Sequence, residues 1–209
     1  MITRAIMILV MRIYCGIVYR IKVEGMENLP KEGNTIICSN HVHMLDSISL
    51  VIKFKTKRMT RVMAKEELFN TKFKAWAFRK AGAFPIKRGK GDTEALEVAK
   101  NYINQGDMLL MFPEGTRNGL EKGLKMKKGA AILALSTNSV IVPVGIKGDY
   151  KPFTKVRIRV GKPITLENYT VGTGALNPRD IVDLTNRMKD EIIELRDRPS
   201  GTPFFWWST

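Results

Sequence analysis

The 209-residue chain is poor in cysteine and histidine, two of each, and has no apolar run long enough to cross a bilayer. Cys15 and Cys38 both lie in apolar surroundings; they make no disulfide framework and point to a reducing compartment, with each thiol as plain core. Acidic residues are also short, 20 against 35 lysines and arginines, so the formal net charge is +15. That excess calls for an anionic partner, such as nucleic acid, a membrane surface, an acidic protein or a phosphorylated substrate, unless it only keeps a solvated face soluble. Aromatic residues that stack on bases are sparse among the cations, which weighs against nucleic acid. The charge is concentrated: between residues 53 and 90 thirteen cations stand against Glu66 and Glu67 alone.

The longest apolar stretch, residues 5 to 19, is interrupted by Arg12. Its fifteen residues reach only about 22 Å as a helix, against a hydrocarbon core of about 30 Å. At about 100° per residue, Arg4, Arg12 and Arg20 fall within an arc of about 160°, with Ile6, Val10, Ile13, Tyr14, Ile17 and Val18 outside it. This describes residues 1–19 as an amphipathic helix in the membrane interface, its arginines among headgroups; a helix packed on the protein's own core is the alternative. No small-residue cleavage site follows, so it does not read as a signal peptide.

Both histidines fall in one heptad, Asn40-His41-Val42-His43-Met44-Leu45-Asp46. Histidine takes a proton near neutrality, and a carboxylate on its other ring nitrogen fixes the tautomer and stabilises the imidazolium. His41 and Asp46 are thus a candidate base and its orienter, although a surface histidine capping a helix uses the same residues. A metal site is disfavoured, because no further histidine or nearby cysteine pair completes a ligand set. The β-rich run 35 to 39 before the heptad and the apolar segment to about Lys53 after it put His41 at a strand's carboxyl end and Asp46 at a helix start, where α/β sheets carry their sites.

Elsewhere, Ile21 to Glu24 and Arg61 to Ala64 read as strands, and Thr71 to Lys80 as a basic helix with Trp76 towards the core. Gly82 to Arg88 is a short strand ending in Lys87 and Arg88, cations suited to phosphate, followed by glycines. Asp92 to Gln105 reads as an amphipathic helix and Met108 to Phe112 as a central strand buried on both faces. That strand empties into Pro113-Glu114-Gly115-Thr116-Arg117-Asn118 at the head of a long polar loop, where glycine exposes backbone N–H groups and Thr116 and Arg117 supply donors: the parts of an anion site. A helix from Lys128 to Ser136, a strand over Val140 to Ile146 broken by proline, an edge-like strand Arg157 to Val160 and a closing helix Asp180 to Arg196 complete the pass. The aromatic tail Phe204 to Trp207 either anchors at a membrane interface or covers the sheet.

Four stretches in fixed order, Asn40-His41-x4-Asp46, Gly82 to Arg88, Phe112 to Arg117 and Val142-Pro143-Val144, resemble the glycerolipid acyltransferase family, especially bacterial 1-acylglycerol-3-phosphate (lysophosphatidate) acyltransferases. The Phe-Pro-Glu-Gly-Thr-Arg stretch is the most specific of them. The resemblance implies an α/β fold: one catalytic domain, residues 20–209, with a central mixed, mostly parallel sheet flanked by helices, preceded by the interfacial helix. It implies that His41 deprotonates the acceptor hydroxyl, which attacks an acyl thioester directly, while Asp46 orients the imidazole; the chain agrees in lacking a Gly-x-Ser-x-Gly elbow. Arg88, Glu114, Gly115, Thr116 and Arg117, with Lys87 a weaker member, would shape the acceptor's glycerol-phosphate site, Glu114 by orienting Arg88 or Arg117 or the glycerol hydroxyl. The implied partners are lysophosphatidate, a thioester of acyl carrier protein or coenzyme A, and an anionic membrane on the cytoplasmic face of the cell. No nucleic acid, metal or cofactor is expected. Glycerol-3-phosphate or another lysophospholipid as acceptor stays open, as does, from another class, a basic membrane- or nucleic-acid-binding module without chemistry.

Overall fold

The computed structural model describes residues 2–54, 56–86, 93–172 and 174–199. Lys87, Arg88 and the aromatic tail lie outside these residues. The described residues form a seven-stranded sheet in the order β1-β7-β6-β2-β5-β3-β4, where β1 is Arg20–Glu24, β2 Thr35–Ser39, β3 Thr60–Lys65, β4 Ala83–Ile86, β5 Met108–Met111, β6 Val140–Lys147 and β7 Lys155–Val160. All neighbouring pairs are parallel except β6 with β7, so the sheet is mixed and mostly parallel, as expected.

Helices cover both faces, which explains why the central strands read as continuous apolar runs. The helices are α1 (Ile2–Val18), α2 (Asp46–Lys53), α3 (Lys72–Ala81), α4 (Thr93–Asn104), α5 (Gly129–Thr137) and α6 (Pro178–Asp197). On one face Ile36, Cys38, Leu109 and Ile141 pack with Ala99 and Ile103 of α4, Ala130, Leu133 and Ala134 of α5, and Leu184, Met188 and Ile192 of α6. On the other, Ile37, Leu110, Val142 and the β7 residues Val156, Ile158 and Val160 pack with Leu50 of α2. The chain leaves β2 through α2 towards β3 and leaves β5 through α5 towards β6, on opposite faces. Between these adjacent central strands the two connections diverge, and the crevice at their carboxyl ends is the usual place for a ligand.

The local reasons are ordinary. Thr71 caps α3 by accepting from Lys74 N–H at 3.2 Å, and Asn177 caps α6 by accepting from Arg179 N–H at 3.0 Å just before Pro178. Gly145 lets α6 lie directly on β6, because a Cβ there would sit 2.3 Å from Arg196 N.

Three expectations change. β7 is not an edge strand: it sits between β1 and β6, and Arg159 is fully interior, donating to Glu24 Oε2 at 3.0 Å and to the Leu195 carbonyl near the end of α6 at 2.9 Å. Its charge is absorbed by a carboxylate and a helix carboxyl end, so alternating arginines do not mark a solvent edge here. Pro143 does not break β6. Its carbonyl faces β7, accepting from Gly161 N–H at 2.8 Å before that pairing begins at Val144, so the missing N–H costs no bond to β2. Trp76 is exposed, stacked on Phe73 with ring centroids 6.0 Å apart. The 3- and 4-residue spacing reports an apolar face, and in α3 that face is turned outward.

Candidate active site

β2 and β5 pair in register, Cys38 beside Met111, so the chain leaves both strands side by side. The heptad after β2 and the Pro113–Asn118 turn after β5 are thereby neighbours, although more than 70 residues separate them. Asn40 fixes the start of the heptad: fully buried, it donates from Nδ2 to the Ile146 carbonyl at 2.8 Å and accepts from Ile146 N–H at 2.6 Å. The sequence offered Asn40 only as the first letter of a motif, and no local pattern reveals a partner on β6.

His41 Nδ1 lies 2.8 Å from Asp46 Oδ2. A carboxylate only accepts, so Nδ1 carries the proton and Nε2 presents its lone pair. Asp46 is wholly buried while the His41 side chain is 20% exposed, so the imidazole is open to solvent and the carboxylate behind it is not. The same Oδ2 also accepts from Val42 N–H at 2.7 Å and His43 N–H at 2.8 Å, which folds the heptad around the carboxylate. Asp46 is the first residue of α2, whose amino end favours a negative charge; the preceding residue, Leu45, makes no side-chain cap. The Phe112 ring stacks on His41 with centroids 4.2 Å apart, closing one side of the imidazole. His43 stands apart from the pair, stacked on Tyr150 at 5.2 Å with Nδ1 accepting from Leu45 N–H.

The Pro113–Asn118 turn grips the His41 peptide at both ends. Glu114 Oε1 accepts from His41 N–H at 2.8 Å, and Asn118 N–H donates to the His41 carbonyl at 2.6 Å. The other Glu114 oxygen accepts from Leu120 N–H at 2.9 Å. Glu114 is buried, and its two oxygens bind main-chain N–H groups; of the partners expected for it, Arg88, Arg117 or the glycerol hydroxyl, Arg117 makes no ion pair with it among the described residues. Gly115 has φ +69, and a Cβ there would meet the Lys127 side chain at 2.5 Å. Lys127 is therefore a further cation over this turn, which the sequence hid within the run Lys125-Met126-Lys127-Lys128. Thr116 and Arg117 are exposed on the lip, and Arg117 makes no ion pair among the described residues. The structure thus brings together His41, Asp46, Glu114, Gly115, Thr116 and Arg117. Among the described residues no cluster of three or more histidine, cysteine or acidic side chains is arranged to hold a metal ion.

An accessible imidazole, a buried carboxylate behind it and a cation-bearing turn beside it, at the carboxyl ends of parallel strands, are an arrangement suited to general base catalysis on a hydroxyl or water. The sequence profile of the family described as Acyltransferase matches residues 20–147. The chain is 26% identical over 182 residues to the 1-acyl-sn-glycerol-3-phosphate acyltransferase of Bacillus subtilis, covering 80% of this chain and 89% of that one. It is 32% identical over 165 residues to the Streptococcus pneumoniae protein of the same name, covering 78% of this chain and 56% of that one. The crystal structure of the 1-acyl-sn-glycerophosphate (LPA) acyltransferase PlsC from Thermotoga maritima superposes with a TM-score of 0.67 over 93% of this chain and 82% of that one, at 25% identity. The chain belongs to the acyltransferase family, and the reading as a binding module without chemistry falls away.

Proposed function

We propose that this acyltransferase moves a fatty acyl group from an acyl thioester to the sn-2 hydroxyl of 1-acylglycerol-3-phosphate, producing phosphatidate at a membrane surface. The observation that carries the proposal is the joining of the His41–Asp46 pair to the turn bearing Thr116 and Arg117, which supports a base and phosphate donors acting side by side. His41 Nε2 takes the hydroxyl proton as the oxygen attacks the thioester carbonyl, and Asp46 stabilises the imidazolium that forms. The tetrahedral adduct then collapses with loss of the thiolate, which recovers the proton from His41. Every bond made or broken lies in the two substrates and one imidazole, so the step needs no cofactor.

Arg117 and Thr116, with Arg88 and Lys87, hold the acceptor phosphate, while Gly115 lets backbone approach it. Glu114 acts by fixing the His41 backbone. The donor is a thioester of acyl carrier protein or coenzyme A, and the cationic segment 53–90 suits either acidic carrier as well as an anionic bilayer. Membrane contact is assigned to α1 on the cytoplasmic side. No helix among the described residues is long and apolar enough to cross a membrane, whereas α1 exposes Ile6, Leu9, Val10, Ile13, Tyr14 and Ile17. Such a helix lies in the interface.

Purified protein given a labelled acyl donor should convert lysophosphatidate to phosphatidate faster than it acylates glycerol-3-phosphate or a lysolipid lacking a phosphomonoester. His41→Ala should lower kcat by about 10²- to 10⁴-fold, the usual range for a lost general base, with the fold retained by circular dichroism. Preference for an acceptor without phosphate would remove the role given to Arg88 and Arg117; wild-type turnover by His41→Ala would remove the base.

A further inference from the structure

Among the described residues three buried side-chain atoms lack a hydrogen-bond partner: Asp46 Oδ1, Ser49 Oγ and Tyr150 Oη. They form one cluster. Ser49 lies one turn after Asp46 on α2, and the Tyr150 hydroxyl faces both. Buried polar groups are nearly always satisfied, so three neighbouring exceptions call for one explanation. Chemically they are complementary, since one is a carboxylate oxygen that only accepts and two are hydroxyls that donate.

Tyr150 is held there against its own backbone preference. Its φ is +51°, a region that non-glycine residues enter at a cost of order 1 kcal/mol or more, and its ring is clamped between His43, stacked at 5.2 Å, and Tyr19, edge-on at 5.8 Å. Burial, and then the negative charge of Asp46, push the phenol well above its ordinary titration range, so it keeps its proton and remains a donor. The opposite carboxylate oxygen, Oδ2, already holds three donors, including His41 Nδ1.

We propose that Tyr150, together with Ser49, donates to Asp46 Oδ1, directly or across one bound water, and is a positioning residue that acts through Asp46 on His41. With donors on both oxygens the carboxylate is locked against rotation, so Oδ2 keeps its alignment with the imidazole through proton uptake and release. This inference rests on the assignment of His41 as base. The titratable groups facing the cluster are His41 and His43 from the same turn, Tyr19 after α1 and Cys15 within it.

Tyr150→Phe keeps the ring and its stacking while removing only the donor, and Ser49→Ala removes the second hydroxyl. For Tyr150→Phe we expect kcat to fall about tenfold, roughly the effect of one lost hydrogen bond to a charged group, with KM for both substrates within about twofold of wild type. Removing the donor concentrates negative charge on Oδ2 and holds the imidazolium more tightly, so the acid limb of the kcat/KM profile should move up by roughly half a pH unit. Ser49→Ala should move it in the same direction. A Tyr150→Phe enzyme with wild-type kcat and an unmoved acid limb overturns the proposal, as does a loss of kcat that tracks a lowered melting temperature while the limb stays in place. His41→Ala measured alongside separates the two levels: if it is inactive while Tyr150→Phe is unaffected, only the positioning role fails, and if it is active the base itself was misassigned.

Discussion

The imidazole of His41 is fixed from three directions: Asp46 holds its ring nitrogen, Phe112 lies against its face, and Glu114 with Asn118 holds its peptide. Glu114 is the member whose role separates two mechanisms. A residue that touches the acceptor affects its KM, whereas one that only places the base affects kcat. In Glu114→Gln the amide retains one carbonyl acceptor but turns an NH₂ group towards a main-chain N–H, donor against donor in a buried site. We expect kcat to drop about tenfold or more and stability to fall by about 1–3 kcal/mol, the penalty for a buried group left unsatisfied, with KM for lysophosphatidate little changed. A raised KM at preserved kcat would instead make Glu114 a direct contact to the acceptor. At this scale the sequence was readable where one residue type is rare: two histidines and a carboxylate at fixed spacing named the pair. It named Asn40 and Glu114 through the motifs but not what they bind, and it was silent on Tyr150, because each acts through a partner on another strand or loop, at a sequence distance that no local pattern encodes.

Among the elements, β1, β7 and α6 meet at a buried charge. Arg159 donates to Glu24 at 3.0 Å, and Glu24 also meets Lys22 at 2.9 Å. The hydrogen bond from Lys22, and after it that from Arg159, hold the Glu24 carboxyl below its ordinary value of 4.5, against the upward push of burial. A carboxyl depressed in the folded state contributes stability that is complete above its unfolded value and lost as pH falls through the folded one. Glu24→Gln should therefore melt a few degrees below wild type near neutral pH, about 1 kcal/mol for a pair partly open to solvent, with the gap closing as pH falls past the ordinary value of 4.5 and through the lower folded one. Thermal melts of both proteins from neutral pH into that range measure it directly; a gap independent of pH would assign the loss to packing. The elements themselves were largely legible, because 3.6- and 2-residue periods and glycine or asparagine stops are local. What misled was the sign of exposure. Arg157-Ile158-Arg159-Val160 alternates like an edge, but an interior arginine with a carboxylate and a helix end to bind alternates in the same way.

For the whole molecule, the unusual surface is that of α1. Arg12 turns towards the body of the protein and donates to the Ile52 carbonyl of α2 at 2.6 Å, and Cys15 is buried, so this side of the helix is its protein-facing side. Arg12 was expected among lipid headgroups; the unpaired carbonyls at the end of α2 are a nearer partner for it. The opposite side is apolar and open, and α1 packs against α3, which adds exposed Phe73 and Trp76 with Lys72, Lys74, Arg79 and Lys80 around them. Periodicity had marked the stripe on α1, but joining it to α3 required the fold. An apolar helix face with exposed aromatics and cations on a neighbouring helix is suited to an anionic monolayer, which would take the rings at headgroup depth and the lysines against phosphates. Ile13→Asp with Ile17→Asp tests this more cleanly than deleting the helix, because deletion would also strip Arg12 from α2 and uncover the contacts around Cys15. Each isoleucine contributes on the order of 1.5–3 kcal/mol when fully buried, so the double variant should bind vesicles containing phosphatidylglycerol at least about 100-fold more weakly in sedimentation. It should retain its turnover on substrates dispersed in detergent, since neither residue belongs to the His41 crevice. Raising salt should weaken wild-type binding in part, by screening the α3 cations, and leave the apolar share intact. Wild-type sedimentation by the double variant would mean that the α1 face meets something other than lipid.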